Sequence, residues 1–339
     1  MLLRSPFSHL VLIACAFLTP AGSALAWGAS GHRIIGRLAI EALPDTVPAF
    51  LRTAASVDAV GELAREPDRW KDSGKTHDSD RDPGHFLDLG DDGKVFGGPA
   101  LSDLPETREA YDAALRAVNS DSWKAGYLPY SIIDGWQQLV KDFTFWRIDK
   151  AAAEHVADPA HQAWFQSDMA ERQQLVLRDL GTLAHYVGDG SQPLHVTIHF
   201  NGWGDYPNPN GYSNAKLHGP FEGDLVRASV TQEAVDKAMT PLKPIEGAME
   251  PHIGAYLAAT LAQVVPFYEM EKAGGMKPGD PRGPAFATKQ IAIGASELRD
   301  MIVAAWKASD TMSVGWRPVP LADILSGKTD PYNAFYAID

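Results

Sequence analysis

His185-Tyr186-Val187-Gly188-Asp189-Gly190-Ser191-Gln192-Pro193-Leu194-His195 stands at the end of a helical run over 169–187, and its spacing sets both the fold class and the chemistry. On a helix, residues four apart share a face, so His185 and Asp189 lie about 6 Å apart along the axis, close enough to share a metal. Proline has no N–H and cannot continue the ladder, so Pro193 ends or kinks the helix and the chain can turn the His195 imidazole back toward the same cavity. Working outward, the same spacing recurs over 32–43, where Ile35, Leu38, Ala39 and Ala42 fall three and four apart before Pro44. It recurs over 132–147, with Trp136, Leu139, Val140 and Phe143, and over 252–272 and 286–307. Polar segments rich in Gly and Pro at 72–84, 90–106, 199–214 and 273–285 read as loops, and only 196–200 alternates like a strand. The expectation is an all-α fold, a single mostly helical domain with long loops.

The chain has 339 residues, with 30 Lys and Arg against 43 Asp and Glu, a net charge of −13. Its first 26 residues combine Arg4, an apolar run over 10–18 and the small-residue exit Ala24-Leu25-Ala26, the pattern of a secretory signal peptide, and the run is too short to span a bilayer. Residues 1–26 are therefore expected to be a signal peptide and 27–339 a single domain, secreted or periplasmic, with Trp27 as the mature N-terminus. A free α-amine there can ligate a metal. The one cysteine, Cys15, lies in the leader, so the mature chain offers no thiolate, and any metal must be held by His, Asp, Glu and backbone groups. Loss of the leader makes the net charge −14, which argues against nonspecific duplex binding through a basic surface. It is compatible with a metal-centred enzyme, because bound divalent cations supply the positive charge a phosphate substrate needs.

His218 and Glu222 repeat the four-residue spacing, with Pro220 suited to an opening helical turn. Three His and two acids thus fall within 38 residues. A lone His/Asp pair at this spacing is commonly a surface hydrogen bond, and the weight lies in the combination with Trp27. His77, His155, His161 and His252 read as solvated, and His199 as either a partner of the cluster or a loop filler.

With these residues in hand, the chain resembles the trinuclear-zinc nuclease and zinc-dependent phospholipase C family, which includes fungal single-strand nucleases, plant bifunctional nucleases and bacterial phospholipases C. The resemblance begins at Trp27-Gly28-Ala29-Ser30-Gly31-His32 and continues at His85-Phe86-Leu87-Asp88, close to the nucleases' His-Phe-x-Asp. It is strongest in the His-x-x-x-Asp-x-x-Gln-Pro-x-His pattern of 185–195, and it closes at Leu217-His218 with Glu222. It implies three zinc ions per chain. One would be held by Asp68, His85, His185 and Asp189, a second by the α-amine and carbonyl of Trp27, His32 and the shared Asp189, and a third by His195, His218 and Glu222. It further implies a hydroxide bridging the paired ions as nucleophile, Asp68 orienting or deprotonating it, and the third zinc neutralising the leaving oxygen. Asp68, in Pro67-Asp68-Arg69-Trp70-Lys71, is the preferred acid, with Asp72 as the alternative. Glu222 resembles the phospholipases, since the nucleases mostly carry Asp. The nucleases' Gly-Gly-Asn before the last histidine is missing, and Asn201-Gly202-Trp203-Gly204-Asp205-Tyr206-Pro207-Asn208-Pro209-Asn210-Gly211-Tyr212 runs in its place.

In that loop Trp203, Tyr206 and Tyr212 could stack on an unpaired base, which is worth roughly 1–3 kcal/mol per base. They could equally cage a choline headgroup or pin their own turns. Asp88 discriminates between substrates, because the nucleases' matching acid faces the base. The resulting expectation is a zinc-dependent phosphodiesterase, an endonuclease that hydrolyses single-stranded DNA or RNA to 5′-phosphate products and acts poorly on duplexes. A phospholipase C acting on a phospholipid headgroup is the alternative and a non-catalytic zinc-binding protein the third reading. No stable protein partner is implied.

Overall fold

A computed structural model describes residues 27–71 and 73–336. The expected leader and Asp72 lie outside the described residues. In chain order the helices are α1 (Gly28–Glu41), α2 (Ala54–Leu63), α3 (Lys75–Arg81), α4 (Arg108–Arg116), α5 (Ser122–Ala125), α6 (Leu128–His155) and α7 (Pro159–Ser191). They continue as α8 (Val226–Ser229), α9 (Gln232–Ala238), α10 (Met249–Leu261), α11 (Val264–Lys272), α12 (Arg282–Ala308), α13 (Leu321–Leu325) and α14 (Pro331–Phe335). Among the described residues the one strand pair is β1 (Ser313–Val314) with β2 (Val319–Pro320), antiparallel. The fold is all-α, and among the described residues no helix is long and apolar enough to cross a membrane.

A three-residue connection joins α6 to α7, and Asp158 caps the second helix by accepting from the Ala160 N–H. Against this hairpin pack α1, α2, α10 and α12. Ile35 and Leu38 of α1, Leu180 and Leu183 of α7, and Ile291 and Leu298 of α12 belong to one buried cluster. A smaller cluster joins Ile148 of α6 to Val314, Leu321 and Ile324 near the C-terminus.

Several boundaries differ from the sequence expectation, each for a physical reason. The run expected over 169–187 extends to Ser191 and so carries Asp189 within the helix. Gly188 and Gly190 weaken a helix intrinsically, but tertiary contact demands them. A Cβ on Gly188 would lie 2.9 Å from His32 Nδ1, and one on Gly190 would lie 2.7 Å from Tyr256 Cε1. The run over 252–272 is two helices broken at Ala262 and Gln263, because Pro266 lacks the N–H that would bond the residue-262 carbonyl and its ring crowds that carbonyl. The segment 72–84, expected as loop, contains α3 and the start of a 3₁₀ turn, Asp82–His85. The segment 196–200 is no strand. The Ile198 N–H is taken by the Leu89 carbonyl, and the chain then turns under His199, whose Nδ1 lies 2.7 Å from the Trp203 carbonyl oxygen.

Candidate metal centre

Six turns and helices deliver the centre. His32 comes from α1, and His185 and Asp189 from the last turns of α7. Asp68 sits in the 3₁₀ turn Pro67–Trp70, His85 closes Asp82–His85, and His195 closes Pro193–His195. His218 precedes a π-helical turn, Pro220–Leu225, that carries Glu222. π-Turns inside helices recur at functional sites because they redirect a side chain without ending the helix. All five histidines are buried, as are Asp189 and Glu222.

Asp189 stands between the ligand groups. Its Oδ2 lies 3.0 Å from His85 Nδ1 and 3.3 Å from His185 Nε2, and its Oδ1 lies 3.4 Å from His32 Nε2 and 3.9 Å from His195 Nδ1. His185 Nε2 also approaches Asp68 Oδ1 at 3.7 Å, and its ring stacks on His32 at 3.9 Å between centroids. Glu222 Oε2 lies 2.8 Å from His218 Nε2 and 3.6 Å from His195 Nε2. Three groups thus have donor atoms close enough to hold a metal: His32, His185 and Asp189; Asp68, His85 and His185; and His195, His218 and Glu222. The third is the set the family resemblance implies, whereas the first two differ from it in that Asp189, expected to be shared, falls only in the His32 group. In the first two the shared residue is His185, which packs against both His32 and His85.

The polar bookkeeping fits cations. Both nitrogens of His32, Nε2 of His85, His195 and His218, Oδ1 of Asp189 and Oε1 of Glu222 are buried without a hydrogen-bond partner. Such groups cost roughly 1–3 kcal/mol each when left unsatisfied, and a bound cation would use them. The other nitrogen of two ligands is already fixed. Nδ1 of His185 donates to the Ala64 carbonyl at 2.8 Å, and Nδ1 of His195 donates to the His85 carbonyl at 2.6 Å, which leaves Nε2 of each as the lone-pair atom. Gln192 orients the third group, with its Nε2 donating to Glu222 Oε2 at 3.1 Å and its Oε1 accepting from the Leu194 N–H. An imidazole and carboxylate donor set without sulfur suits divalent ions such as zinc, and three identified ligands leave coordination open.

Burial opposes ionisation of Asp189, but His185 and His195 hold its pKa well below the ordinary carboxylate range. Burial also opposes ionisation of Asp68, and His185, Lys71, His32 and His85 bring it down to about 2. Lys71 Nζ lies 2.8 Å from Asp68 Oδ1. Burial pushes His85 down to about 4, so this ring is neutral at pH 7, the form that ligates metals. Asp88 behaves oppositely, with burial pushing it up to about 7.

A cavity of about 330 Å³ opens onto His85, His195 and His218, and Lys71, Phe86, Asp88, Phe200 and Asn201 are among its walls. Asp88 is therefore beside the ligands. The loop aromatics are not among the lining residues. Trp203 and Tyr212 are buried, with Trp203 stacked 3.7 Å from His199 and Tyr212 packed on Tyr268. Trp203 Nε1 donates to the Pro207 carbonyl, so these rings pin their own loop. Tyr206 is exposed and meets His199 edge-on at 5.2 Å. Half-exposed Phe200 and partly buried Phe86 occupy the position expected of those rings. Phe86 belongs to the quoted His-Phe-x-Asp, whereas Phe200 has no periodic neighbour that would have marked it.

Trp27 is buried at the junction of α1 and α7. Its indole N–H donates to the Gly188 carbonyl at 2.8 Å and to Ser191 Oγ at 3.0 Å, and its backbone lies in the left-handed region at φ 34°. A Cβ on Gly28 would lie 3.2 Å from the Glu222 carbonyl, so the first turn of α1 is wedged against the third ligand group. Two histidines expected to be solvated have partners: His252 pairs with Glu297, and His161 stacks on Tyr332 at 3.6 Å. No family model matches the chain, and no curated protein matches it.

Proposed function

We propose that this protein is a secreted zinc-dependent phosphodiesterase that cleaves single-stranded DNA or RNA and leaves 5′-phosphates. The observation that carries the reading is the convergence of three buried His/Asp/Glu groups beside a cavity large enough for a nucleotide fragment. The resemblance to the trinuclear-zinc family supports the choice of metal and of reaction. Divalent ions bound at these groups would neutralise phosphate charge and lower the pKa of a bound water. The chain's own residues do the rest. Asp68, ionised and paired with Lys71, can orient the attacking water by accepting a hydrogen bond from it, and Lys71 brings a cation to the cavity wall. Phe86 and Phe200 supply aromatic surface in the cavity wall on which an unpaired base could stack, and Asp88 can exchange hydrogen bonds with its edge. A paired base cannot enter such a wall without leaving its stack, which favours single strands.

Phospholipase C activity is the second reading. It is favoured by Glu222 and by Asp78 and Asp82 in the same cavity wall, where acids suit a cationic headgroup. The test is to assay the mature chain side by side on single-stranded DNA, RNA and phosphatidylcholine vesicles, with and without chelator. Nucleic-acid cleavage lost to chelator, without lipid cleavage, is the expected result. Lipid cleavage alone would replace the first reading with the second.

A further inference from the structure

We propose that Trp70, Arg81 and Arg108 form a track that holds single-stranded nucleic acid beyond the metal centre; the proposal rests on the nucleolytic reading above. In this acidic chain most arginines are neutralised by a neighbour. Arg33, Arg65, Arg69 and Arg116 each pair with a glutamate or aspartate. Arg81 and Arg108 differ. Each guanidinium lies over an aromatic ring, Arg81 at 4.1 Å from the centre of Trp70 and Arg108 at 3.4 Å from the centre of Tyr127, and neither pairs with a carboxylate among the described residues. Trp70 is 45% exposed. Exposed rings interleaved with unneutralised guanidinium groups are what a flexible polyanion with unstacked bases requires, since rings take the bases and cations the phosphates.

The track adjoins the cavity of the metal centre through α3, whose Asp78 lines the cavity and whose Arg81 lines a neighbouring cleft. Lys71 lines that cavity and directly follows Trp70. Arg81 and Arg108 line this cleft of about 620 Å³ together with Tyr127 and Tyr186, and the Tyr186 ring lies 5.4 Å from that of His85. Tyr127 donates its hydroxyl to the Asp80 carbonyl, which ties α3 to the start of α6 between the two spaces. Glu106 and Asp134 share the cleft, so the attraction is local to the guanidinium edges and not a broad basic field. A dinucleotide fills the cavity alone, whereas a longer strand reaches α3. A phospholipid has a single phosphodiester and no run of phosphates and bases to lay along the track.

The test compares kcat/KM on a thymidine dinucleotide and on a twelve-residue oligo(dT), using the mature protein, Arg81→Ala/Arg108→Ala, Trp70→Ala and, as a control on a distant exposed pair, Lys237→Ala. Wild type and Lys237→Ala should prefer the longer substrate. The double variant should lose about tenfold in the ratio of the two values, and Trp70→Ala about fivefold, the low end of the stacking range. The ratio is internal to each preparation, so partial misfolding does not mimic the effect. The slope of log kcat/KM against log salt for the twelve-mer should also shrink by about 0.7 per arginine removed. An unchanged ratio and slope, with both substrates cleaved, would overturn the track while leaving the nuclease reading intact. Failure of wild type to cleave either substrate would overturn the nuclease reading itself, and the track with it.

Discussion

Asp189 is the residue whose two oxygens reach furthest, touching His85 and His185 on one side and His32 and His195 on the other. Replacement by asparagine keeps the shape but replaces a charged oxygen that faces these imidazoles with an NH₂ group. Asp189→Asn should therefore bind at least one metal fewer per chain than wild type and lose at least about a hundredfold in activity, more than Asp88→Asn, which should keep full metal content. Elemental analysis per chain alongside the phosphodiesterase assay checks this, and equal metal content in the two variants would refute it. The four-residue spacings of His185 with Asp189 and of His218 with Glu222 were legible without coordinates because a helix places such pairs on one face. Gln192, Phe200 and the Ala64 carbonyl were not assigned in this way, because their roles arise from contacts across 121 residues for His185 with Ala64 and 30 for Gln192 with Glu222.

At the scale of elements, α1 and α7 cross so closely at Gly188 that any side chain there meets the His32 ring. Gly188→Ala should cost about 1–3 kcal/mol through overpacking and also weaken metal binding at the His32 group. Gly254→Ala, whose Cβ would meet the Leu101 carbonyl at 2.1 Å, should cost stability with no loss of metal. Thermal melts paired with metal titration separate the two outcomes, and equal metal affinity in both variants would show that the α1–α7 contact does not set the site. Away from the centre, α6 buries Asp149 facing Asp168 of α7, where Arg172 and Tyr336 hold the latter. Burial, with Asp168 adding to it, pushes Asp149 up to about 8. The folded protein therefore keeps a proton there that the unfolded chain releases near pH 4, so this group's contribution to stability falls as pH rises from about 4 to about 8 and is level above. Asp149→Asn stays neutral throughout. Its melting temperature relative to wild type should rise from pH 5 to pH 9, and a difference constant over that range would contradict the assignment.

For the molecule as a whole, the sharpest consequence lies at Trp27, the expected mature N-terminus. The indole of Trp27 is locked to α7, and its neighbour Gly28 abuts the Glu222 backbone. Free amine and carbonyl on one residue make an easy five-membered chelate, whereas an amide nitrogen is a far weaker ligand. Protein carrying an extra residue before Trp27 should therefore bind about two metals instead of three and lose most of its activity, while protein beginning at Trp27 keeps both. Full metal content and activity in the extended form would remove Trp27 from the ligand set.

The sequence alone determined the all-α class, the main helices and the pairs His185/Asp189 and His218/Glu222, because helical periodicity and four-residue pairing are local properties that survive without tertiary context; His32, Asp68 and His85 entered only through the family resemblance. It could not decide where α7 ends, since two glycines that weaken an isolated helix are required by the close approach of His32 and Tyr256. Nor could it place the aromatics: Trp203 and Tyr212 can stack on a base as Phe86 and Phe200 can, and only tertiary contacts bury the first pair, with the indole N–H of Trp203 and the hydroxyl of Tyr212 bonded within the protein, and leave the second on the cavity wall. Composition specifies what a side chain can do; the distances that bring Asp68, His85, His32 and His185 together exist only once α1, α7 and two 3₁₀ turns share one core.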